Sequence, residues 1–260
     1  MSDAVQKMRL DRLLANMGYG SRKDIQALVK HSRITLDGVA VSDADMHVAV
    51  SADLSARLRV AGAALDPPPG FIVMLHKPLG VTCSHKEAGP LVYDLLPNRW
   101  RARKPAISTV GRLDKETSGL LLMTDDGALL HRIIAPKSNV TKRYRATLAR
   151  PLRGDEAHTL AAGTLMLDGE SKPLLPAEMQ IAADPAASEP VVEVTLSEGR
   201  YHQVRRMFAA LGNHVTALHR ISIGALTLPD DLDAGTFRSL SPDQTSAIFQ
   251  QAKLRATTLS

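Results

Sequence analysis

Cysteine and aromatic residues are scarce in this 260-residue sequence, which has one cysteine and one tryptophan and in which aromatic residues make up 3 %. The single cysteine, Cys83, excludes an intramolecular disulfide and is typical of a reducing compartment. The sequence has no apolar run near the roughly 18 residues that span a bilayer, and its first residues include no apolar signal segment. We therefore expect a cytoplasmic protein whose core consists mainly of aliphatic residues.

Positive charge is concentrated in one part of the chain. Residues 71–150 contain 14 Lys and Arg against 6 Asp and Glu, whereas the whole chain has a net charge of +5. A focused positive field attracts a polyanion such as a nucleic acid, although a solvated basic face is a common alternative; we expect RNA, because the excess coincides with the segment that carries Asp114. The densest basic run, from Arg99 to Lys104, also contains the only tryptophan, and it predicts either an RNA-facing loop or a plain surface loop.

Three consecutive prolines mark a domain boundary. The sequence DPPPG at residues 66–70 favours extended backbone and predicts a semi-rigid linker. It separates a small module, residues 8–65, from a larger domain, residues 71–250. In the small module, apolar residues at helical spacing predict two helices, the second capped by Ser21. Asp37 and Gly38, between two apolar triplets, predict a hairpin.

The small module resembles an S4 RNA-binding domain. The resemblance is carried by the strings MRLDRLL at 8–14, SRK at 21–23 and RITLDG at 33–38. In that family, basic side chains at the start of a helix and near the hairpin contact RNA phosphates. The resemblance therefore implies an RNA-binding set here, which comprises Arg9, Arg12, Arg22, Lys23, Lys30 and Arg33.

The larger domain shows strand and helix signals in irregular alternation. Residues 71–75 and 191–196 are apolar runs that predict strands, and residues 203–211 have helical periodicity before Gly212. This arrangement favours an α+β fold with a largely antiparallel sheet over a doubly wound one.

The most informative string is GRLDKETSGLLLMTDDG at residues 111–127. It predicts a turn at Thr117 to Gly119, followed by a buried strand from Leu120 to Met123. Asp114 then lies in a loop directly before a rigid element, a common position for a catalytic group. An Asp between basic residues is, however, most often a surface ion pair.

The whole string resembles the active-site motif of the pseudouridine synthases that modify ribosomal RNA. The resemblance extends from Met8 to about Leu240 and is strongest to the small-subunit, RsuA-type branch, through SEGRYHQV at 197–204. It implies a mixed, mainly antiparallel sheet crossed by the active-site cleft, with Asp114 as the catalytic carboxylate. That carboxylate attacks C1′ of the target uridine or removes a proton from C2′, and the sequence does not separate these routes.

Two further motifs supply other candidate residues. The resemblance implies that Arg205 pairs with Asp114, that Tyr144 packs against the target base, and that Arg112 helps to hold the base out of its stack. A solvated helix arginine and a core tyrosine are the ordinary alternatives for the first two. Base extrusion is required because the uridine cannot react inside a stack.

The reaction implied needs no cofactor, because it involves no redox change and no energy input. His202, His214 and His219 match no common metal-ligand spacing, so we expect no metal site. The expected partner is 16S ribosomal RNA or an assembling small-subunit particle, bound by a monomer. The alternatives are a synthase acting on 23S RNA and a non-catalytic S4-type RNA-binding or ribosome-assembly protein.

Overall fold

The computed structural model describes residues 6–84, 88–184 and 187–251. Residues 1–5, part of the segment expected to lack a signal sequence, lie outside the described residues. In the described ranges, no helix combines the length and apolar character that crossing a bilayer demands.

The N-terminal module packs two helices against short strands. Strand β1 pairs antiparallel with β4, and a second sheet has the order β3-β2-β5-β6. The elements are β1 (Lys7–Arg9), α1 (Leu10–Asn16), α2 (Arg22–Lys30), β2 (Ile34–Leu36), β3 (Val39–Ala40), β4 (His47–Ala49), α3 (Leu54–Arg57), β5 (Leu58–Val60) and β6 (Ala63–Ala64).

The local signals predicted for this module are confirmed. Ser21 caps α2 in a capping box with Asp24, in which each side chain accepts a hydrogen bond from the other residue's backbone N–H. Asp37 and Gly38 both have positive φ and join β2 to β3, because this tight turn requires left-handed backbone. The buried face of both helices forms one core with residues of the strands.

The larger domain is built on a mixed sheet. Its elements are β7 (Ile72–Lys77), β8 (Ser108–Thr109), β9 (Ser118–Thr124), α4 (Gly127–Ile134), β10 (Lys142–Leu148), α5 (Glu156–Ala161), β11 (Glu178–Ile181), β12 (Val191–Leu196), α6 (Gln203–Ala210), β13 (Val215–Ile223), β14 (Leu226–Thr227), β15 (Phe237–Ser239) and α7 (Pro242–Ala247). Single-turn 3₁₀ helices occur at Val92–Leu95, Asn98–Ala102 and Pro136–Ser138.

Within the described ranges, nine strands form this sheet in the order β11-β12-β10-β13-β9-β7-β15, with β8 and β14 attached at its sides. Strands β9 and β13 are parallel, and the other pairs are antiparallel. The predicted α+β class with a mainly antiparallel sheet is therefore confirmed.

The central strands β7 and β9 are buried on both faces. Along β9, alternate residues enter two different cores, with Leu120 and Leu122 in one and Leu121 and Met123 in the other. This explains why the segment is continuously apolar rather than alternating. The predicted turn at Thr117 to Gly119 is displaced, since β9 already begins at Ser118 and the turn spans Asp114 to Thr117.

The basic run at Arg99 to Lys104 is partly buried between the N-terminal module and the larger domain, while Arg99, Arg101 and Lys104 keep exposed side chains. Trp100 and Arg103 are buried, and Arg99 forms a bidentate ion pair with Asp66 in the linker. Lys104 donates its backbone N–H to the carbonyl of Asn16 at 2.8 Å. The run therefore clamps the N-terminal module against the larger domain.

The proline linker is fixed on both sides by that interface. The backbone N–H of Asp66 donates to the Tyr19 hydroxyl at 2.9 Å, and Arg103 donates to the carbonyl of Pro67 at 2.8 Å. Gly18 packs so closely that a Cβ there would lie 2.2 Å from the Arg99 carbonyl oxygen. The linker is consequently a structural joint between two packed units.

Candidate active site

Asp114 lies in the loop between β8 and β9, at the meeting point of two open cavities of about 340 and 540 Å³. Its carbonyl accepts a hydrogen bond from the Thr117 N–H at 3.0 Å, which closes a tight turn. About a third of its side chain is exposed. The carboxylate is therefore open to a bound molecule while its backbone is held by a rigid strand.

A buried lysine supports this turn from below. Lys77, at the end of β7, is fully buried, and its ammonium donates to the carbonyls of Thr117 at 2.8 Å and Pro78 at 3.0 Å. Burial lowers the pKa of Lys77, although the thiol of Cys83 and the carboxylate of Asp114 act in the opposite direction. The lysine thus fixes the loop and adds positive potential behind Asp114.

The parallel contact between β9 and β13 depends on a glycine. Gly119 has φ +109°, and a Cβ there would lie 2.3 Å from the carbonyl oxygen of Arg220. This close approach allows the buried Arg220 to donate through Nε to the Leu120 carbonyl at 2.7 Å. The guanidinium lies 6.0 Å from the centre of the Tyr144 ring, which lines the first cavity.

Tyr144 projects from β10 toward the same site as Asp114. Its backbone pairs with Val194 on one side and Arg220 on the other, in the middle of the sheet. The side chain is half-buried and packs against two cores, so the ring orientation is constrained. Tyr144 is therefore partly a core residue and also lines the cavity beside Asp114, while its role toward a base stays a prediction.

The imidazole of His202, rather than the guanidinium of Arg205, contacts Asp114. His202 Nε2 lies 3.3 Å from Asp114 Oδ1. The Arg205 guanidinium donates to the carbonyl of Glu116 at 2.7 Å and to that of Val215 at 2.8 Å. Among the described residues, Arg205 forms no ion pair with Asp114, so the direct pair expected from the sequence is absent.

This difference has a structural reason. Arg205 lies on the first turns of α6, and its two carbonyl partners belong to the Asp114 loop and to the start of β13. His202 precedes the helix with φ +48°, a left-handed conformation that is uncommon for a non-glycine residue. That conformation directs its ring toward Asp114.

Arg112 and Tyr201 form the exposed rim of the site. Both residues line each of the two cavities, and both are exposed. The Tyr201 ring stacks on that of His202, with ring centres 4.0 Å apart and an interplanar angle of 14°. Sequence reasoning left Tyr201 and His202 without a role, although both belong to the GRYHQ string that it selected.

The basic residues predicted in the N-terminal module differ in their surroundings. Arg12, Lys23, Lys30 and Arg33 are exposed. Arg9 and Arg22 instead converge on the buried carboxylate of Asp11, with nitrogen–oxygen distances of 2.9 and 2.7 Å. These hydrogen bonds lower the pKa of Asp11 to about 2, the bond from Arg9 having the largest effect. Asp11 thus holds two guanidiniums side by side at the surface.

The described residues contain no cluster of three or more His, Cys, Asp or Glu side chains that could hold a metal ion. His214 and His219 lie on or beside β13, where His219 bonds to the Ser118 hydroxyl at 2.8 Å. Burial lowers the pKa of His219, with His76 and Arg145 acting in the same direction.

Comparison with known proteins gives two family matches. Residues 71–210 match the RNA pseudouridylate synthase family, and residues 8–54 match the S4 domain. The chain is 38 % identical to ribosomal small subunit pseudouridine synthase A of Pasteurella multocida over 239 residues, covering 91 % of this chain and 97 % of the relative. It is 36 % identical to the protein of that name from Vibrio cholerae over 243 residues, covering 94 % and 100 % respectively.

A crystal structure of a pseudouridylate synthase has the same overall arrangement. The two share 35 % sequence identity with a TM-score of 0.63, and the match covers 93 % of this chain and 99 % of the solved one. The similarity therefore includes both the N-terminal module and the larger domain.

Proposed function

Because this chain belongs to the RNA pseudouridylate synthase family and is a pseudouridine synthase, we propose that it acts on 16S ribosomal RNA through Asp114. The family match and the relatives named as small-subunit synthases support this substrate. The observation that carries the assignment of Asp114 is its place at the junction of two cavities, where Tyr144 and His202 face the same space.

The reaction moves the ribose C1′ bond of a uridine from N1 to C5 of the same ring. The C1′–N1 bond breaks, the detached uracil turns, and a C1′–C5 bond forms as the proton on C5 leaves and N1 gains one. Asp114 either forms a bond to C1′ or removes a proton from C2′. Both routes require a carboxylate oxygen beside the ribose, and the partly exposed side chain of Asp114 presents its oxygens to the two cavities.

Arg205 acts on this chemistry through the backbone. By donating to the carbonyls of Glu116 and Val215, it ties the loop that carries Asp114 to α6 and β13. We infer that it is a positioning residue, since the hydrogen bonds of its guanidinium to the described residues go to two main-chain carbonyls and not to Asp114. Lys77 holds the same loop from the buried side, by donating to the carbonyls of Thr117 and Pro78.

Tyr144 provides the wall against which the uracil packs. Its half-buried ring lines the first cavity together with Leu196 and Leu218, so one side of the pocket is apolar. A planar base gains stacking energy against such a ring. Tyr144 also lines the cavity in which the C5 proton is removed, and we propose that its hydroxyl takes part in that transfer together with a base that acts directly or through water.

Arg112 and the N-terminal module hold the RNA around the extruded base. Extrusion costs a few kcal/mol, and phosphate contacts to exposed basic residues offset it. Arg112 lines both cavities and is exposed, so it can contact a phosphate or occupy the space that the base leaves. Arg9, Arg12, Arg22, Lys23, Lys30 and Arg33 supply the further contacts on the S4 module. We place this activity in the cytoplasm, in a monomer acting on ribosomal RNA or an assembling particle.

Tritium release from RNA that carries 5-tritiated uridine tests the proposal. Forming the C1′–C5 bond displaces the C5 hydrogen, so turnover is read directly. We expect release from 16S RNA or small-subunit particles, no release from 23S RNA, and none from Asp114→Asn, whose RNA affinity stays close to that of the unmodified protein.

Other outcomes would overturn parts of this assignment. Release from 23S RNA alone would move the target to the large subunit while leaving the chemistry intact. Full activity of Asp114→Asn would remove Asp114 from its role. Tight RNA binding without release from any substrate would show that this chain only binds RNA.

A further inference from the structure

Tyr201 is an exposed aromatic residue at the mouth of the site. Its relative exposure is 71 %, yet it lines both of the cavities that flank Asp114. Burying an aromatic ring is normally favourable, so an exposed ring beside the proposed catalytic carboxylate indicates a surface that a ligand covers. Its hydroxyl takes part in no hydrogen bond among the described residues, so the structure gives the hydroxyl no role there. The exposed face of the ring is the part that can contact a ligand.

The ring is held in a fixed orientation. One face stacks on the imidazole of His202, which in turn contacts Asp114 Oδ1 at 3.3 Å. The backbone carbonyl of Tyr201 accepts a hydrogen bond from Arg206 at 3.2 Å. A ring that is already ordered loses little conformational entropy when it contacts a ligand, so this contact contributes more to the binding free energy than a contact with a mobile ring would.

The neighbouring groups suit a single-stranded nucleic acid. Arg112 lines the same two cavities and supplies a cation for a phosphate, and Lys115 lines the second. Alternation of aromatic faces with basic side chains is the usual means of binding unpaired nucleotides. Tyr144, on β10, lines the first cavity but not the second, so Tyr201 offers a second aromatic surface in addition to the one assigned to the target uracil.

We propose that Tyr201 is a stacking subsite for the nucleobase that adjoins the target uridine in the RNA strand. The inference rests on the proposed function, because it presupposes that the uridine reacts at Asp114. The base lies on the open face of Tyr201 while the extruded uridine enters the cavity lined by Tyr144. Because Tyr201 stacks on His202 and His202 contacts Asp114, a base bound on Tyr201 is held at a fixed position relative to the Asp114 carboxylate.

The test measures binding and turnover with matched variants of the full-length protein. The probe for binding is an RNA hairpin whose loop contains one uridine flanked on both sides by 2-aminopurine, a base whose fluorescence falls when it stacks. We expect Asp114→Asn to quench this probe, Asp114→Asn with Tyr201→Phe to quench it equally, and Asp114→Asn with Tyr201→Ala to lose the quenching. The Kd of the variant with both Asp114→Asn and Tyr201→Ala should be about 10-fold or more above that of Asp114→Asn, as expected for the loss of one base–aromatic stacking contact.

Turnover on 16S RNA provides the second measurement. Tyr201→Ala should raise KM by a similar factor and change kcat little, whereas Tyr201→Phe should leave both unchanged. Ile181→Ala, which shortens an exposed apolar side chain on β11, controls for a general effect of surface truncation.

Three results would overturn the subsite. The first is unchanged binding and unchanged KM in Tyr201→Ala. The second is a lower kcat with unchanged KM in Tyr201→Ala. The third is an equal loss of binding in Tyr201→Phe, which would assign the contact to the hydroxyl. An inactive unmodified protein that still quenches the probe through Tyr201 would instead reject the proposed reaction and keep the subsite.

Discussion

The Arg205 guanidinium donates to the carbonyl of Glu116 at 2.7 Å, two residues beyond the proposed catalytic Asp114. A second bond, to Val215 at 2.8 Å, fixes the other edge of the same guanidinium. The carboxylate is thus located by a hydrogen-bonded brace between α6 and the loop before β9, and it contacts the imidazole of His202.

We expect Arg205→Met to lower kcat by about 100-fold, because small displacements of a catalytic group have effects of that order. Arg205→Lys should recover little, since a single ammonium does not reproduce a planar fork that bonds two carbonyls. Steady-state tritium release gives kcat and KM separately, and KM should change much less. A variant with normal kcat would show that the brace does not matter for catalysis.

Asp11 predicts a pH dependence of stability. Its pKa in the folded protein is about 2, below the value of 3.8 for a free side chain, so its contribution is complete above about pH 5 and is lost progressively as the pH falls toward 2. At pH 6, Asp11→Asn should lower the free energy of unfolding by about 1–3 kcal/mol, because two guanidiniums lose a charged acceptor. Urea unfolding at pH 6 and pH 2.5 measures the difference between the proteins, which should shrink at the lower pH. A constant difference would contradict the ion-pair explanation.

The ion pair between Arg103 and Asp125 should be important for stability. The two groups are 3.2 Å apart and both side chains are 1 % exposed. Burial raises the pKa of Asp125, although the Gly70 N–H and Arg103 oppose that shift, so the carboxylate depends on its partners. Arg103→Met should cost about 3–5 kcal/mol by leaving a buried charge unpaired.

Arg101→Ala is the matched control for that change, because Arg101 pairs with Asp94 in solvent-exposed surroundings of the same segment. Its loss should cost less than about 1 kcal/mol in urea unfolding. Adding Asp125→Asn to Arg103→Met should recover part of the stability. A double variant no more stable than Arg103→Met alone would show that the charge pair is not the cause.

Substitutions at two glycines distinguish the effect of backbone strain from the effect of disturbing the packing between the N-terminal module and the larger domain. Gly18 and Gly38 both have positive φ, at +86° and +82°, but a Cβ meets the Arg99 carbonyl at Gly18 and nothing within 4 Å at Gly38. We expect Gly38→Ala to cost about 1–2 kcal/mol, from backbone conformation. Gly18→Ala should cost more and should also expose the linker, with faster proteolysis between residues 65 and 70. Equal cleavage rates in the two variants would contradict the docking described above.

Local signals made much of this fold predictable. The cap at Ser21, the hairpin at Asp37 and the buried strand beginning near Leu120 each depend on a few adjacent residues, and each appears as expected. The placement of Asp114 and Tyr144 around one cavity followed from the motifs. Their catalytic roles remain predictions.

The errors came from contacts between distant segments. For the basic run, the sequence gives no indication that Arg99 and Arg103 pair with Asp66 and Asp125 of other segments. The partner of Asp114 depended on the left-handed backbone of His202, which no pattern of residue types specifies. Lys77 was missed because a buried lysine is rare and its partners are main-chain carbonyls.

The clamp formed by Arg99 to Lys104 has a consequence for how a uridine is selected. Because the S4 module is packed onto the larger domain, the separation between its exposed cations and Asp114 is set by the protein rather than by the RNA. The proposed RNA contacts of the S4 module and the proposed reaction site are therefore held at a fixed separation. On the proposed function, an RNA engages both ends only when its own folding brings a backbone stretch and an extrudable uridine to that spacing, so the fold of the RNA contributes to the choice of uridine.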